Sequence, residues 1–459
     1  MNYDSRSEIT VADAVSQGWA YRSSTSRVIP NILGAISPRV RAREWMPVRQ
    51  DKPLPVGDLC SLVTDALRSN PSGLAIIFSH DHYLTISGGV QNVVGDEQRA
   101  LMADGWAFLH VCPNQPLPLL APPGKAEDFL LVMSLNGSTC GVIRMSDLIA
   151  VVDELARDGT RIQPIVHHLL GFAPELVGAL IVASKEEPLV WIHDLFTLCP
   201  SVHLLRNETR FCKAPPNRSA VCGICHSGLE RGEHVERMKA FFDDAKPVVA
   251  APSRTILQFW QEKGGYAHSR AVVIAPSRIE FDGARAARTP DRPLRIAFIG
   301  TPIYHKGWDV YEALCRWHHK DERYDFYHLG SRDMKVPGVT FRQVTVTPDD
   351  RTAMARAVRD SEIDVVINWS ACFESFSFTT QESIAAGAFI VARLGAGNVW
   401  PMVCDTPEAR GRSLAEEVEL QAAFASGDVI KWVDEAARRY GNIELNAYSS
   451  ELVSTERRA

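Results

Sequence analysis

The sequence predicts an α/β protein made of two doubly wound domains. Three observations carry this. Short apolar runs alternate with longer amphipathic stretches along most of the 459 residues, as in parallel strands covered by helices. The pattern starts twice, at Gly73–Phe78 and again at Leu294–Gly300, with an arginine-, alanine- and proline-containing linker at 283–293 before the second start. The segment from Asp364 to Ala392 reads as strand, polar loop, helix and strand, the repeating unit of such a sheet.

Composition narrows the class. The chain is 46% hydrophobic and 23% charged, which fits a globular protein, and its length suits two domains with extensions. A net charge of −6 gives no reason to expect nucleic acid as a partner. No signal-peptide-like run opens the sequence, and no uncharged run reaches about 18 residues. The expectation is a cytoplasmic protein, with peripheral contact at the inner membrane face as an alternative. The expected boundaries are an N-terminal extension over 1–70, a first domain over 71–283 and a second over 284–459.

In chain order, the extension is rich in proline. It carries Arg39, Arg41, Arg43 and Arg49 around Trp45, a basic patch suited to an anionic surface or to packing on the first domain. Cys60–Leu67 reads as a short helix. Gly73–Phe78 is a strand that runs through a polar loop to Gly88 and Gly89 and a helix over Val90–Asp104. Paired glycines at a helix start let backbone approach a ligand, although a lone Gly-Gly is more often a turn. Trp106–Val111 and Asp128–Met133 read as strands and Val142–Arg157 as an amphipathic helix. Two more strands, at 164–171 and 188–194, end in His167, His168, His193 and Asp194. Polar residues thus gather at one rim, where α/β sheets keep their ligands. Glu230–Ala245 reads as a surface helix, Pro247–Pro252 as a strand followed by a helix to Lys263, and Val272–Ala275 as a last strand. In the second domain, Leu294–Gly300 leads to Lys306 and Gly307 and a helix over Trp308–His318. Tyr324–Ser331 is a strand. From about Ser413 the chain reads as helical, with a closing helix near Val429–Arg439.

The densest chemistry lies in the 364–392 unit. The apolar run Val365–Ile367 is a buried strand, and the helix from Phe378 stops at Gly387. Unpaired N–H groups at its start, over Ser377, Phe378 and Thr379, suit a phosphate. Glu374 in the loop and Glu382 in the helix have seven residues between them. Glu382 can accept bonds from ribose hydroxyls and Glu374 can reach a sugar at the far end of a diphosphate. Each such bond contributes roughly 1.5–3 kcal/mol. Taken alone, two glutamates are more often a solvated surface pair.

Glu374, Glu382 and the turn Ala385-Ala386-Gly387 resemble the donor-binding signature of retaining GT-B glycosyltransferases, above all family 4. The loop Gly395-Ala-Gly397 fits as well. The stretches "HHLLG" and "WIHDLFTLCP", followed by a cysteine-rich loop, resemble a bacterial subset that builds surface polysaccharides. The resemblance covers about residues 73–440. It implies two Rossmann-like domains facing a cleft that holds a nucleotide-sugar, with Gly88 and Gly89 beside the donor phosphates and His193 near the reacting sugar. It also implies a serine of "VVAAPSRTILQFW" near the cleft. Gly300, Lys306 and Gly307 match the family's diphosphate clamp, but Thr301 stands where the family has arginine. Weaker phosphate binding, a replacement cation such as Arg332 and a degenerate donor site are the readings of that departure.

Cys199, Cys212, Cys222 and Cys225 form a separate cluster that ends in a Cys-x2-Cys knuckle. Four thiolates suit a structural zinc. Free thiols, a disulfide and an iron–sulfur cluster are the alternatives. In each case the loop is expected to hold the acceptor side rather than to do chemistry, and no catalytic metal is expected.

What the resemblance implies, then, is retaining transfer of a hexose from a nucleotide-sugar to a saccharide or lipid-linked saccharide acceptor of a cell-surface glycan (O-antigen or capsule). His193, Glu374 and Lys306 would serve the reaction. A nucleotide-sugar epimerase and a catalytically weak glycan- or partner-binding subunit are the rivals.

Overall fold

The computed structural model describes residues 51–86, 88–115, 117, 119–289, 291–347, 349–446 and 449–455. The basic patch around Trp45 lies outside them. In the N-terminal half, α1 (Val56–Ser69) leads to β1 (Gly73–Phe78), α2 (Gly89–Ala103), β2 (Trp106–Pro113), β3 (Leu130–Leu135), β4 (Ser138–Arg144) and α3 (Met145–Arg157). Then come β5 (Ile162–Val166), α4 (Pro174–Ser184), β6 (Leu189–Trp191) and a small hairpin of β7 (Leu205–Arg206) and β8 (Arg210–Phe211). The half closes with α5 (Gly228–Ala245), β9 (Val248–Ala251), α6 (Arg254–Gly264) and β10 (Arg270–Val273).

These strands form an eight-stranded sheet in the order β10-β9-β6-β5-β1-β2-β3-β4. Every residue of β1 and β2 is buried, as apolar strands covered by helices on both faces must be. The β3–β4 edge is antiparallel. The sequence reading placed a helix from Val142, whereas β4 runs to Arg144 and the helix starts at Met145. The turn Asn136-Gly137, with φ of 47° and 82°, explains this: an Asn-Gly pair with both residues left-handed closes a tight hairpin.

The C-terminal half holds β11 (Ser277–Ala284), β12 (Leu294–Ile299), α7 (Trp308–His318), β13 (Tyr324–Gly330), β14 (Val339–Gln343) and α8 (Ala353–Asp360). It continues with β15 (Val365–Asn368), α9 (Phe378–Ala385), β16 (Phe389–Arg393), α10 (Val399–Asp405), β17 (Arg410–Leu414), α11 (Glu417–Ser426) and α12 (Asp428–Asp434). Last are β18 (Arg439–Leu445) and α13 (Ser450–Thr455). Six strands form a parallel sheet, β14-β13-β12-β15-β16-β17. Counted within this half, that is the order 3-2-1-4-5-6 of doubly wound nucleotide-binding sheets.

β11 and β18 pair as an antiparallel ribbon. Beside it, Asp364, fully buried, meets the guanidinium groups of Arg285 (3.1 Å), Arg292 (2.8 Å) and Arg438 (3.5 Å). A buried carboxylate needs such partners, because losing them leaves an uncompensated charge. The expected helix over Val429–Arg439 does not cross back to the first half. α12 stays in the second core through Val429 and Val433, and the crossing is made by β18 and α13. The apolar–polar alternation of β18 is only Ile443-Glu444-Leu445, too brief to stand out. Arg161 donates to the Val453 carbonyl at 3.0 Å and fixes α13 on the first half. Among the described residues no helix is long and apolar enough to cross a membrane.

Candidate functional site

The strand order reverses between β1 and β5 in one sheet and between β12 and β15 in the other. Ligands of such sheets bind outside the carboxyl ends at these points. Here the two carboxyl rims face each other and bond directly. Ser253 Oγ, at the start of α6, donates to the Ser375 carbonyl at 2.5 Å, and Thr255 Oγ1 donates to Asn398 Oδ1 at 2.8 Å. Tyr304 Oη donates to the Thr209 carbonyl at 2.9 Å, and Arg351 pairs with Asp96 at 3.3 Å. Ser253 is the serine of the "VVAAPSRTILQFW" stretch.

On the C-terminal rim, the chain turns after β12 through Tyr304–Lys306 into Gly307, whose φ is 83°. A Cβ there would lie 2.2 Å from the Trp369 carbonyl oxygen, so only glycine lets the turn press on the end of β15. This places Lys306 Nζ 2.8 and 3.0 Å from the two oxygens of Glu374. Ser370 Oγ donates to the same carboxylate at 2.8 Å. Burial opposes the ionised form of Glu374, but the Lys306 charge and these bonds outweigh it and hold the acid below its ordinary value. Lys306 is raised in turn: burial lowers it, and the Glu374 charge more than reverses that. The sequence reading put these two residues on different parts of a ligand. In the structure they hold each other.

The Glu374 loop is laced to the Gly395-Ala-Gly397 turn, with the Asn398 N–H donating to the Glu374 carbonyl at 2.8 Å. Gly397 has φ of 63°, and a Cβ there would lie 2.3 Å from that carbonyl oxygen. Three residues on, Ser377 is left-handed at φ 71°, a conformation that costs a non-glycine residue about 1–3 kcal/mol. Its hydroxyl meets Asn368 Nδ2 at 3.2 Å and Thr380 Oγ1 at 2.7 Å and does not cap α9. The N-terminus of α9 is thus left without a side-chain cap where an anion would sit. Phe378 and Thr379 face the glycines. A Cβ on Gly89 would meet the Phe378 ring at 3.5 Å, and one on Gly300 would meet Thr379 at 3.4 Å. Gly88 is extended and precedes α2, and a Cβ there would clash with Gln91 Oε1.

Glu382, one turn into α9, is 7% exposed, and its carboxyl makes no hydrogen bond among the described residues. Burial pushes its carboxyl up to about 8, with the nearby Arg351 charge pulling part of the way back. Arg332, named from the sequence as the replacement cation, is exposed just past β13. Arg351 is the buried arginine beside Phe378 and Glu382.

The N-terminal rim is a histidine network. His167 Nε2 bonds to Glu97 Oε2 at 2.6 Å, and His167 Nδ1 bonds to His193 Nε2 at 2.9 Å. Ser449 donates to the other Glu97 oxygen. With Glu97 as carboxylate, His167 donates to it and accepts from His193, so His193 carries its proton on Nε2 and keeps a lone pair on Nδ1. Burial holds His193 well below its ordinary pKa, with the neighbouring His167 adding to this and Asp194 opposing it. His168 Nδ1 accepts from the Leu170 N–H at 3.0 Å, so its Nε2 donates to Asp194 at 2.9 Å. Asp194 is held below the carboxylate range: burial opposes this, and its pairing with His168 and the Phe196 N–H overcome it. His203 helps lower both Asp194 and Glu374, so its charge is felt on both rims.

The four cysteines are free thiols. Cys199, Cys212, Cys222 and Cys225 lie within electrostatic reach of one another. Among the described residues, however, no three His, Cys, Asp or Glu side chains are grouped to hold a metal ion. Cys222 accepts a hydrogen bond from Arg231 at 3.0 Å. The loop still reaches the cleft, because Phe211 stacks on Phe373, next to Glu374, with ring centroids 5.5 Å apart.

Reasoning from sequence missed Glu97, Asp96 and Arg351. The only local signal was that Asp96 and Glu97 follow Gly88-Gly89 on the same helix.

No family model and no curated protein matches the chain. Similar solved structures include sucrose-phosphate synthase from Thermosynechococcus elongatus, at 13% identity and a TM-score of 0.47, covering 79% of this chain and 91% of that one. HepE of Anabaena, in complex with UDP-glucose, is similar at 10% identity and a TM-score of 0.47, covering 84% and 95%. WaaG, a glycosyltransferase involved in lipopolysaccharide biosynthesis, is similar at 12% identity and a TM-score of 0.44, covering 78% and 93%.

Proposed function

We propose that this chain is a retaining glycosyltransferase that moves a hexose from a nucleotide-sugar to a saccharide or lipid-linked saccharide of a cell-surface glycan. One observation carries the reading. The uncapped N-terminus of α9 lies at the reversal point of a 3-2-1-4-5-6 sheet, between a lysine–carboxylate pair and a buried carboxyl without a partner. That is a binding site for an anion flanked by hydroxyl-bearing groups, which is the chemistry of a nucleoside diphosphate linked to a sugar.

In this reading the diphosphate sits over Ser377–Thr379, and Gly89 and Gly300 leave it room. Glu382 accepts from the ribose hydroxyls and Glu374 from the sugar. Lys306 meets the negative charge that grows on the diphosphate as the bond to the sugar breaks. The acceptor oxygen joins the anomeric carbon on the face the diphosphate leaves, and its proton passes to the departing diphosphate oxygen. His193 Nδ1 takes a hydrogen bond from a sugar hydroxyl. The facing rims exclude water and so limit hydrolysis.

The test is calorimetry with a panel of nucleotide-sugars, followed by transfer assays and NMR of the product's anomeric configuration. Binding of one donor class and a product of retained configuration are expected. If every nucleotide-sugar fails to bind, the proposal falls. Conversion of the donor without acceptor would make the protein an epimerase instead.

A further inference from the structure

We infer that Arg351 is a phosphate-binding residue of the cleft, supplying from the loop before α8 the positive charge that Thr301 does not. The inference rests on the donor-site reading above and adds to it a residue that reading does not require.

Three observations converge on Arg351. Its side chain is only 9% exposed, yet Nε and Nη1 have no hydrogen-bond partner among the described residues. Leaving guanidinium N–H groups buried and unpaired is costly, so such an arrangement marks a place where something else accepts from them. The guanidinium lies 5.9 Å from the centre of the Phe378 ring, at the uncapped start of α9. It also acts electrostatically on Glu382 in the same helix. The third point is its single ion pair. Nη2 reaches Asp96 Oδ2 at 3.3 Å, and that carboxylate already bonds to Arg99. Asp96 therefore orients the guanidinium without satisfying it. With Nη2 held by Asp96, Nε–H and the Nη1 amine point to different edges of the guanidinium, and each can donate to a phosphate oxygen.

The experiment measures binding of UDP, GDP, ADP and CDP, and of the matching nucleosides, to the full chain. The variants are Arg351→Gln and Asp96→Asn. Arg351→Gln is expected to weaken the preferred diphosphate about 10- to 100-fold and to leave the nucleoside unchanged. Asp96→Asn, which keeps the arginine, is expected to leave diphosphate binding the same or tighter. If Asp96→Asn weakens binding as much as Arg351→Gln, the pair is only a clasp between the halves and the inference is overturned. Equal diphosphate binding by Arg351→Gln and wild type overturns it too, while the donor site stands. If the wild type binds no diphosphate, both readings fall together. A measurement on wild type covers the case of a variant that does not fold. The Arg351 Nε–H resonance, assigned by its loss in Arg351→Lys, is expected to shift when the diphosphate is added. An unmoved resonance in a diphosphate-bound protein overturns the inference.

Discussion

The two rims of the cleft are built from the same strand–loop–helix unit and differ in how their ionisable side chains are linked to one another. On the N-terminal rim, Glu97, His167 and His193 run in an unbroken chain, and His168 and Asp194 satisfy each other. On the C-terminal rim, among the described residues, α9 has no side-chain cap, the Glu382 carboxyl makes no hydrogen bond, and Nε and Nη1 of Arg351 are open. Lys306 and Glu374 are paired with each other, and Arg351 is paired across the cleft with Asp96. A satisfied network fixes one orientation of one side chain. An unsatisfied set carries a standing cost that a ligand can relieve. The first rim is therefore suited to aim a group, and the second to bind one.

If so, variants of the C-terminal rim should change donor parameters and those of the N-terminal rim should change acceptor parameters. The largest effect is expected at Lys306. Lys306→Ala should lower transfer at saturating donor by roughly 10²–10³, the range for losing one group that stabilises developing charge. Full activity would remove Lys306 from the site.

Glu382 comes next. Glu382→Ala should weaken donor binding about 10- to 100-fold above pH 8, where the carboxylate makes charge-assisted bonds, and less below it. The wild-type protein should also show a pH signature. Burial keeps the Glu382 carboxyl protonated up to about 8. An ionised carboxylate is the stronger acceptor, so donor affinity should rise as pH rises through about 8, and Glu382→Gln should flatten that limb. Stability runs the other way. The folded pKa is raised above the unfolded one, so this contribution is fully present below about 4.5 and is lost as pH rises to about 8. Melting temperatures of wild type and Glu382→Gln at pH 5.5 and 8.5 would show the difference narrowing or reversing. Parallel pH profiles would mean the acid is not buried as described.

The C-terminal rim was more legible in the sequence than the N-terminal one, for a physical reason. Glu374, Lys306, Ser377 and Glu382 lie in strand–loop–helix units whose glycines and apolar runs are local signals. The glycines at 307 and 397 are required by backbone contacts that a Cβ would break. The histidine chain is legible only in part. His167 and His193 end neighbouring strands, but Glu97 comes from a helix 70 residues away from His167 in sequence. Arg351 is similar: its role depends on Asp96 in the other half, and no pattern of residues links the two. The pairing of β11 with β18 escaped for the same reason, being a contact between distant stretches that each look irregular.

A smaller effect is expected from the histidine chain. His167→Phe removes the bond that sets the His193 tautomer and should slow transfer by about tenfold, the cost of one hydrogen bond of roughly 1.4 kcal/mol. Donor affinity should not change. Long-range proton–nitrogen NMR should find the His193 proton on Nε2 in wild type and a mixture of tautomers in the variant. Loss of donor binding in this variant would erase the division between the rims.

The smallest effect tests where that division blurs. The cysteine-rich loop belongs to the N-terminal half but packs on the donor loop, through Phe211 on Phe373 and the Thr209 carbonyl on Tyr304. Phe211→Ala removes an aromatic pair worth about 0.5–1.5 kcal/mol beyond its buried area. Phe373 precedes Glu374, so the loss should loosen the loop that carries Glu374 without touching any bond the carboxylate makes. The expected result is about a two- to tenfold weaker donor affinity, the ratio whose RT ln is about that energy, with transfer at saturating donor unchanged. A change in acceptor KM alone would instead assign the loop to the acceptor, and the cysteine cluster with it.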